Sequence, residues 1–245
     1  MRHSLTLLFL LTVVPRLMAQ NEAMMQSTRD RLNYGTFSIP QTGVLFGVAG
    51  EPGKLLGNNY LDSTFQAGAI KFYGKISGGS DSLTGVPIRL DLAKHEIDVR
   101  VAPGDIRAIR AASVRYFDRN DLAGSVSRFI NVREFRGDAD NLAGFFEQVT
   151  GGKIALLQYH YLFLRRANYN AALNVGTKDD QLVKKSDWYM AGTNRKAQQF
   201  ISSRKALLDL MTDKQPQVEA FLKEKRPDLK SRAGLAQVFD FYNTL

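Results

Sequence analysis

Polar and apolar positions alternate most regularly in "VPIRLDLAKHEIDVRV", residues 86–101. Ile88, Leu90 and Leu92 share one face, with Arg89 and Asp91 on the other. After Ala93, Lys94 and His95 the order repeats, with Ile97, Val99 and Val101 on the apolar side and Glu96, Asp98 and Arg100 opposite. Period-two alternation on both sides of a short polar loop predicts an antiparallel hairpin with one wet face. Arg89, Asp91, Asp98 and Arg100 are placed to pair across it, at ~0.2–1 kcal/mol per pair. Pro87 is tolerable at the start of a strand, where no ladder donor is needed.

Similar patterns surround this hairpin. "AGAIKFYGKI" alternates Ile70 and Phe72 against Lys71 and Tyr73, and the turn-rich "GGSDSLTG" follows. "DIRAIRAASVRYFDR" and "GSVSRFINVREFRG" read as further strands, with Ala108 to Ala112 open to a helical turn. Gly151 and Gly152 then separate two apolar runs, a two-residue hairpin turn with positive φ expected at both positions. The second run, "KIALLQYHYLFLRRANYN", is the most apolar outside the N-terminus. Its odd positions, Ala155 to Phe163, are all apolar and are expected to be buried. Its even face mixes Leu156 and Leu162 with Gln158 and His160. Arg165 and Arg166 mark its exit from the core. "YNAALNVGTKDDQLVKKS" reads as a long connecting loop, and "DWYMAG" and "KAQQFI" flank Thr193-Asn194 as a weaker hairpin.

After Ser203 the period becomes helical. "SRKALLDLMTD" has an N-cap serine with Leu207, Leu208 and Met211 on one side, and "QPQVEAFLKEKRP" carries Pro216 in its first turn. In "SRAGLAQVFDFYNTL", Leu235, Val238, Phe239 and Tyr242 fall on one stripe, while Gly234 costs ~1 kcal/mol relative to alanine. The fold class is therefore α+β: an antiparallel β meander (a curved or half-barrel sheet) over residues 56–201, then a short three-helix segment over 202–245 packed on or beside it.

The first residues, "MRHSLTLLFLLTVVPRLMAQ", carry Arg2, an apolar stretch from Leu5 to Val14, and a break at Pro15 and Arg16. This is the pattern of a secretory signal over residues 1–19, cut after Ala19. Its apolar core is half of the roughly 20 residues that a membrane-spanning helix needs. An irregular leader over 20–55 follows, with one short strand at Val44 to Val48. The expected localisation is periplasmic or secreted. Because the chain has no cysteine, it is not expected to be a lipoprotein, and thiol chemistry, disulfides and thiolate metal sites are excluded. No later stretch reaches 18 consecutive apolar residues. An outer-membrane barrel, with at least eight alternating segments, does not fit either. The formal net charge is +9, and without Arg2 and Arg16 it is 31 basic against 24 acidic side chains, or +7. That field suits an anionic envelope polymer, although the charges are scattered.

The order of "GNNYLDSTFQAGAIKFYGK", "GVPIRLDLAKHEIDVR", "GFFEQVTGGKIALLQYHYLFLRRANYNAALNVG" and the terminal "FYNTL" resembles a family of uncharacterised exported proteins of Bacteroidetes-type bacteria. The resemblance spans roughly residues 55–245. This chain departs from it at Leu90, where the family commonly has an aromatic, and at Phe241-Tyr242-Asn243-Thr244-Leu245, where the family ends in "YYNsL". It implies export and architecture, and transfers no activity and no site residue.

Motifs for chemistry are sparse. Beyond the expected signal only His95 and His160 remain, and there is no HExxH or calcium-loop spacing, so neither a metal nor another cofactor is expected. No GxSxG elbow accompanies Ser125, and "GVAGEPGKLLG" lacks phosphate-loop spacing. Glu96, Asp98 and Glu134 could supply paired carboxylates, but nothing in their spacing selects them. The aromatic residues sit at core-facing periods, which argues against a nucleic-acid platform. His95 is expected in a solvated loop, and His160 is the one weak catalytic candidate. Trp188, Tyr189, Arg165 and Arg166 form a candidate interaction surface, although packing of Trp188 and Tyr189 against the helices is the blander reading. The sequence thus favours a non-catalytic envelope binding or interaction module over an enzyme, with an anionic envelope polymer or another envelope protein as partner. The alternatives are a hydrolase using His160 on the concave face of the sheet, and a carrier of a lipid or anionic ligand in a barrel-like sheet.

Overall fold

The computed structural model describes residues 54–76, 78–121, 124–170 and 173–245. The expected signal, the leader and the strand at Val44 to Val48 lie outside these residues. Strands are β1 (Leu55–Leu56), β2 (Gln66–Phe72), β3 (Ser82–Asp91), β4 (Glu96–Ala102), β5 (Asp105–Arg110), β6 (Val114–Asn120), β7 (Val126–Asn131), β8 (Arg136–Gly137), β9 (Phe145–Thr150), β10 (Ile154–Arg165), β11 (Asp180–Gly192) and β12 (Lys196–Phe200). Helices α1 (Arg204–Leu210), α2 (Gln215–Lys225) and α3 (Arg232–Thr244) follow. The strands form one open sheet in the order β5-β4-β3-β2-β6-β7-β9-β10-β11-β12-β8, with β1 beside β11. Every pairing is antiparallel except β1 with β11 and β12 with β8. The fold class is α+β, and no helix among the described residues is long and apolar enough to cross a membrane.

Three apolar cores hold the sheet, and register decides their sides. Ile70, Phe117 and Phe129 are directly opposed across β2, β6 and β7, and with Ile88, Ile97 and Phe145 they form one core on the first face. The Phe117 and Phe129 rings stack at 4.7 Å. Further along the same face, Leu156, Phe200 and partly buried Trp188 pack against Leu207, Val218, Leu235, Val238 and Phe239 of the helices. The second face is covered by the segment between β7 and β9, whose Val132, Phe135 and Ala139 pack on Phe146, Leu157, Tyr159 and Tyr189. Serine caps start two helices: Ser203, read from sequence as a cap, accepts from the Ala206 amide, and Ser231 accepts from the Gly234 amide.

Several local expectations change. Asp91 does not join the surface ladder. It is buried and accepts hydrogen bonds from the Ala93 and Lys94 amides, so it shapes the β3–β4 turn. Arg89 and Asp98 do pair, at 2.9 Å. Val101 is exposed, because β4 and β5 continue past the core at the edge of the sheet. The "long loop" after β10 is half strand: β11 begins at Asp180, half-buried as far as Val183 and exposed from Lys184 to Ser186, and is held by its ladder to β10. The buried odd face of β10 ends at Tyr159, since β9 stops flanking it there, and Phe163 is exposed. His95 is half-buried under Gly144 with φ +54°, and desolvation lowers its imidazole below the ordinary range.

Of the glycine pair before β10, only Gly152 has positive φ, at +119°. A Cβ there would lie 2.5 Å from the Asn243 side chain. Asn243, near the end of α3, donates to the carbonyls of Gly151 (2.7 Å) and Ile154 (3.0 Å) and accepts from the Ile154 amide (3.0 Å). The terminal "FYNTL" thus closes the β9–β10 turn. Asn243→Ala should cost about 1–2 kcal/mol by urea denaturation, because it leaves turn groups without partners.

Candidate functional site

Strands β9 and β10 carry the same unusual sequence of environments on the first face. In β9, Phe145 enters the core of the N-terminal strands, Glu147 follows, and Val149 packs in the helical core. In β10, Leu162 touches the former core, His160 and Gln158 follow, and Leu156 lies in the latter. Glu147 and Gln158 are directly opposed. A polar seam therefore separates two apolar cores on one face of one sheet.

Glu147 is the centre of that seam, with its side chain only 7% exposed. The carboxylate is an acceptor only, so His160 Nε2–H donates to its Oε2, at 2.8 Å. Arg232, at the start of α3, reaches its Oε1, also at 2.8 Å. Arg232 donates as well to Gln158 Oε1, and Gln158 donates to Ser186 Oγ. Burial alone would raise the Glu147 carboxyl. The hydrogen bonds from His160 and Arg232 and the charge of both partners outweigh it and hold the carboxyl down at about 2. Both oxygens are occupied, and the nitrogen of His160 facing the carboxylate is committed as a donor.

Beside the seam lies a polar cleft of about 490 Å³, walled by Glu147, Arg232, Arg119, Lys184, Asp62 and Asp121. His160 does not line it. The acids are turned to other work: Asp62 accepts from the Thr64 amide and the Gln66 side chain, and Asp121 from the Ser125 amide. Lys184 donates to the Leu61 carbonyl at 3.3 Å. Arg119 differs from every other group in the cleft. Its Nε and Nη1 are buried with no hydrogen-bond partner, and its one packing contact of note is the Phe129 ring, 5.5 Å away. Among the described residues neither Arg119 nor Lys184 has an ion pair. A half-buried guanidinium with two unpartnered nitrogens has donors to offer an oxyanion.

The residues singled out from sequence fall in different places. His160 stands behind the cleft as a partner of Glu147. Trp188 packs partly buried against the helices, whereas Tyr189 is buried on the opposite face, so the two do not form one exposed patch. Arg165 and Arg166 are exposed at the far end of β10, away from both. Glu147 and Arg119 were not singled out by sequence reasoning. Each is a lone charge at an apolar-face position, Glu147 between Phe145 and Val149 and Arg119 two residues after Phe117, and that pattern was the available signal. No group of His, Cys, Asp or Glu among the described residues is arranged to hold a metal ion. No family model, curated protein or solved structure matches the chain.

Proposed function

We propose that this chain is a non-catalytic binding module of the cell envelope, exported by the N-terminal signal read from its sequence, and that it takes an oxyanion in the cleft beside Glu147. The observation that carries this reading is the Arg119 guanidinium, buried at two of its nitrogens without a partner in a cleft that also holds Lys184. The oxyanion is a carboxylate or a phosphate, either of which an acidic envelope polymer can supply. A hydrolase built on His160 gains little from the geometry, because Nε2 is committed to a carboxylate that Arg232 also holds.

Calorimetric titration with a uronate oligosaccharide and, separately, with inorganic phosphate tests the proposal and tells the two sources apart. At least one should bind, with affinity falling as salt rises. Arg119→Met should weaken that binding by more than tenfold. The same substitution should not destabilise the free protein, since the two buried nitrogens that it removes have no hydrogen-bond partner. Binding unchanged in Arg119→Met, or no binding of either anion, would sink the proposal.

A further inference from the structure

Strands β10 and β11 pair from Ile154↔Gly192 to Arg165↔Gln181, but their outer neighbours stop early. β9 flanks β10 only as far as Tyr159, and β12 flanks β11 only from Trp188 to Ala191. The rest of the hairpin runs on as an arm, flanked on the β11 edge by β1 at Asp180 and Gln181, by Gly57 at Leu182 and by the Leu61 carbonyl at Lys184. The described residues near its end are tied together by hydrogen bonds. The Asn168 amide donates to the Thr177 carbonyl, and the Asn168 side chain accepts from the Thr177 amide and hydroxyl. Asp180 accepts from Arg166 and from the Ala167 amide, and the Tyr169 hydroxyl donates to Asn174.

This ordered arm holds apolar side chains outward. Phe163, Leu164, Tyr169, Leu173 and Val175 are all exposed, Leu173 by 69% and Val175 by 55%. With Leu55 and Leu56 of the adjoining β1 they make up seven of the twelve exposed large apolar residues among those described, so exposure is concentrated on this element. Cations are interleaved with them: Lys185 lies 4.0 Å over the Phe163 ring and Lys178 4.7 Å over the Tyr169 ring. From Phe163 to Ser186 there are five basic residues and two acidic ones, a net +3. Both acids are engaged locally, Asp180 as above and Asp179 by the Lys54 amide. An apolar tip flanked by cations is complementary to one kind of surface in particular, a bilayer with anionic headgroups, where side chains enter the acyl boundary while cations meet phosphates.

We propose that the β10–β11 arm docks the protein onto an anionic bilayer surface. The reading shares only Lys184 with the oxyanion cleft. The probe is co-sedimentation of the protein, as recovered after processing in its expression host, with phosphatidylglycerol-containing vesicles and with pure phosphatidylcholine vesicles. Binding is expected to the anionic vesicles only and to fall as salt rises. Leu173→Asp with Val175→Asp, and separately Arg165→Glu, should each lower partitioning at least tenfold with no loss of thermal stability, because these side chains lie outside every core and Arg165 has no ion pair among the described residues. The Leu173→Asp with Val175→Asp variant should bind the cleft's anion as wild type does, which separates failure of this proposal from failure of the cleft. Three results would overturn it: no binding to anionic vesicles, binding indifferent to both arm variants, or loss of binding to a soluble acidic protein in the arm variants while vesicle partitioning persists.

Discussion

Gly234→Ala should destabilise the protein by about 3 kcal/mol, although helix propensity alone favours alanine at this position by ~1 kcal/mol. Gly234 is buried in the first turn of α3. A Cβ there would lie 2.1 Å from the Asp228 carbonyl oxygen and under 3 Å from two more backbone atoms of that residue. The oxygen cannot retreat cheaply, since it accepts from both the amide and the hydroxyl of Ser231. Ser231 in turn caps the helix through the Gly234 amide. A clash at this point therefore disturbs the turn, the cap and the placement of Leu235, Val238 and Phe239 in the helical core together. For a chain of this size the loss corresponds to a fall in Tm of roughly 6–12 °C. Ala233→Gly, at the exposed neighbouring position, serves as the control and should cost only ~1 kcal/mol. If Gly234→Ala instead raised Tm, the close approach of the helix to the Asp228 turn would be wrong.

That contrast shows where the fold was readable and where it was not. Periods of two and 3.6 report which side of an element is apolar, so the inward residues Ile88, Leu90, Leu92, Ile97 and Val99 of the β3–β4 hairpin and the buried stripe of α3, Leu235, Val238, Phe239 and Tyr242, were legible, whereas the burial of Asp91 and the exposure of Val101 were not. Periodicity says nothing about what meets an element from outside. Gly234 reads as a weak point in a helix until the Asp228 turn is placed against it, and Asn243 reads as a polar end until it is seen closing the β9–β10 turn. The first half of β11 escaped for a related reason. Its residues are half-buried from Asp180 to Val183 and exposed from Lys184 to Ser186, so no alternation marks them, and the β10 ladder makes them a strand. The site was half legible. His160 stood out as a rare residue on a mixed face, but a mixed face does not reveal that two cores meet there. Glu147 and Arg119 come from separate strands, brought near each other by β7 between them.

Glu147→Ala should cost roughly 3–5 kcal/mol, the range for removing one partner of a buried ionic cluster. The substitution leaves Arg232 without its ion pair and His160 Nε2 without its acceptor. It also unties α3 from β9 at a point where the sheet offers the helix a charge instead of an apolar contact. A pH series separates this from simple loss of packing. The folded carboxyl sits at about 2 against an ordinary 4.5. Its stabilisation is therefore complete above about pH 4.5 and is lost as pH falls through about 2. Wild type should lose stability over that window by a few kcal/mol, the free-energy equivalent of the shift at ~1.4 kcal/mol per unit. Glu147→Ala, and Glu147→Gln as the variant that keeps the volume, should lack that component, so the gap between wild type and either variant narrows toward pH 2. A gap that stayed constant from pH 6 to about pH 2 would mean that Glu147 acts through its shape and not its charge. In that case the seam would be a packing defect between two cores. A narrowing gap makes it the ionic joint that fixes Arg232 in the wall of the cleft, and with it the geometry in which Arg119 meets a ligand.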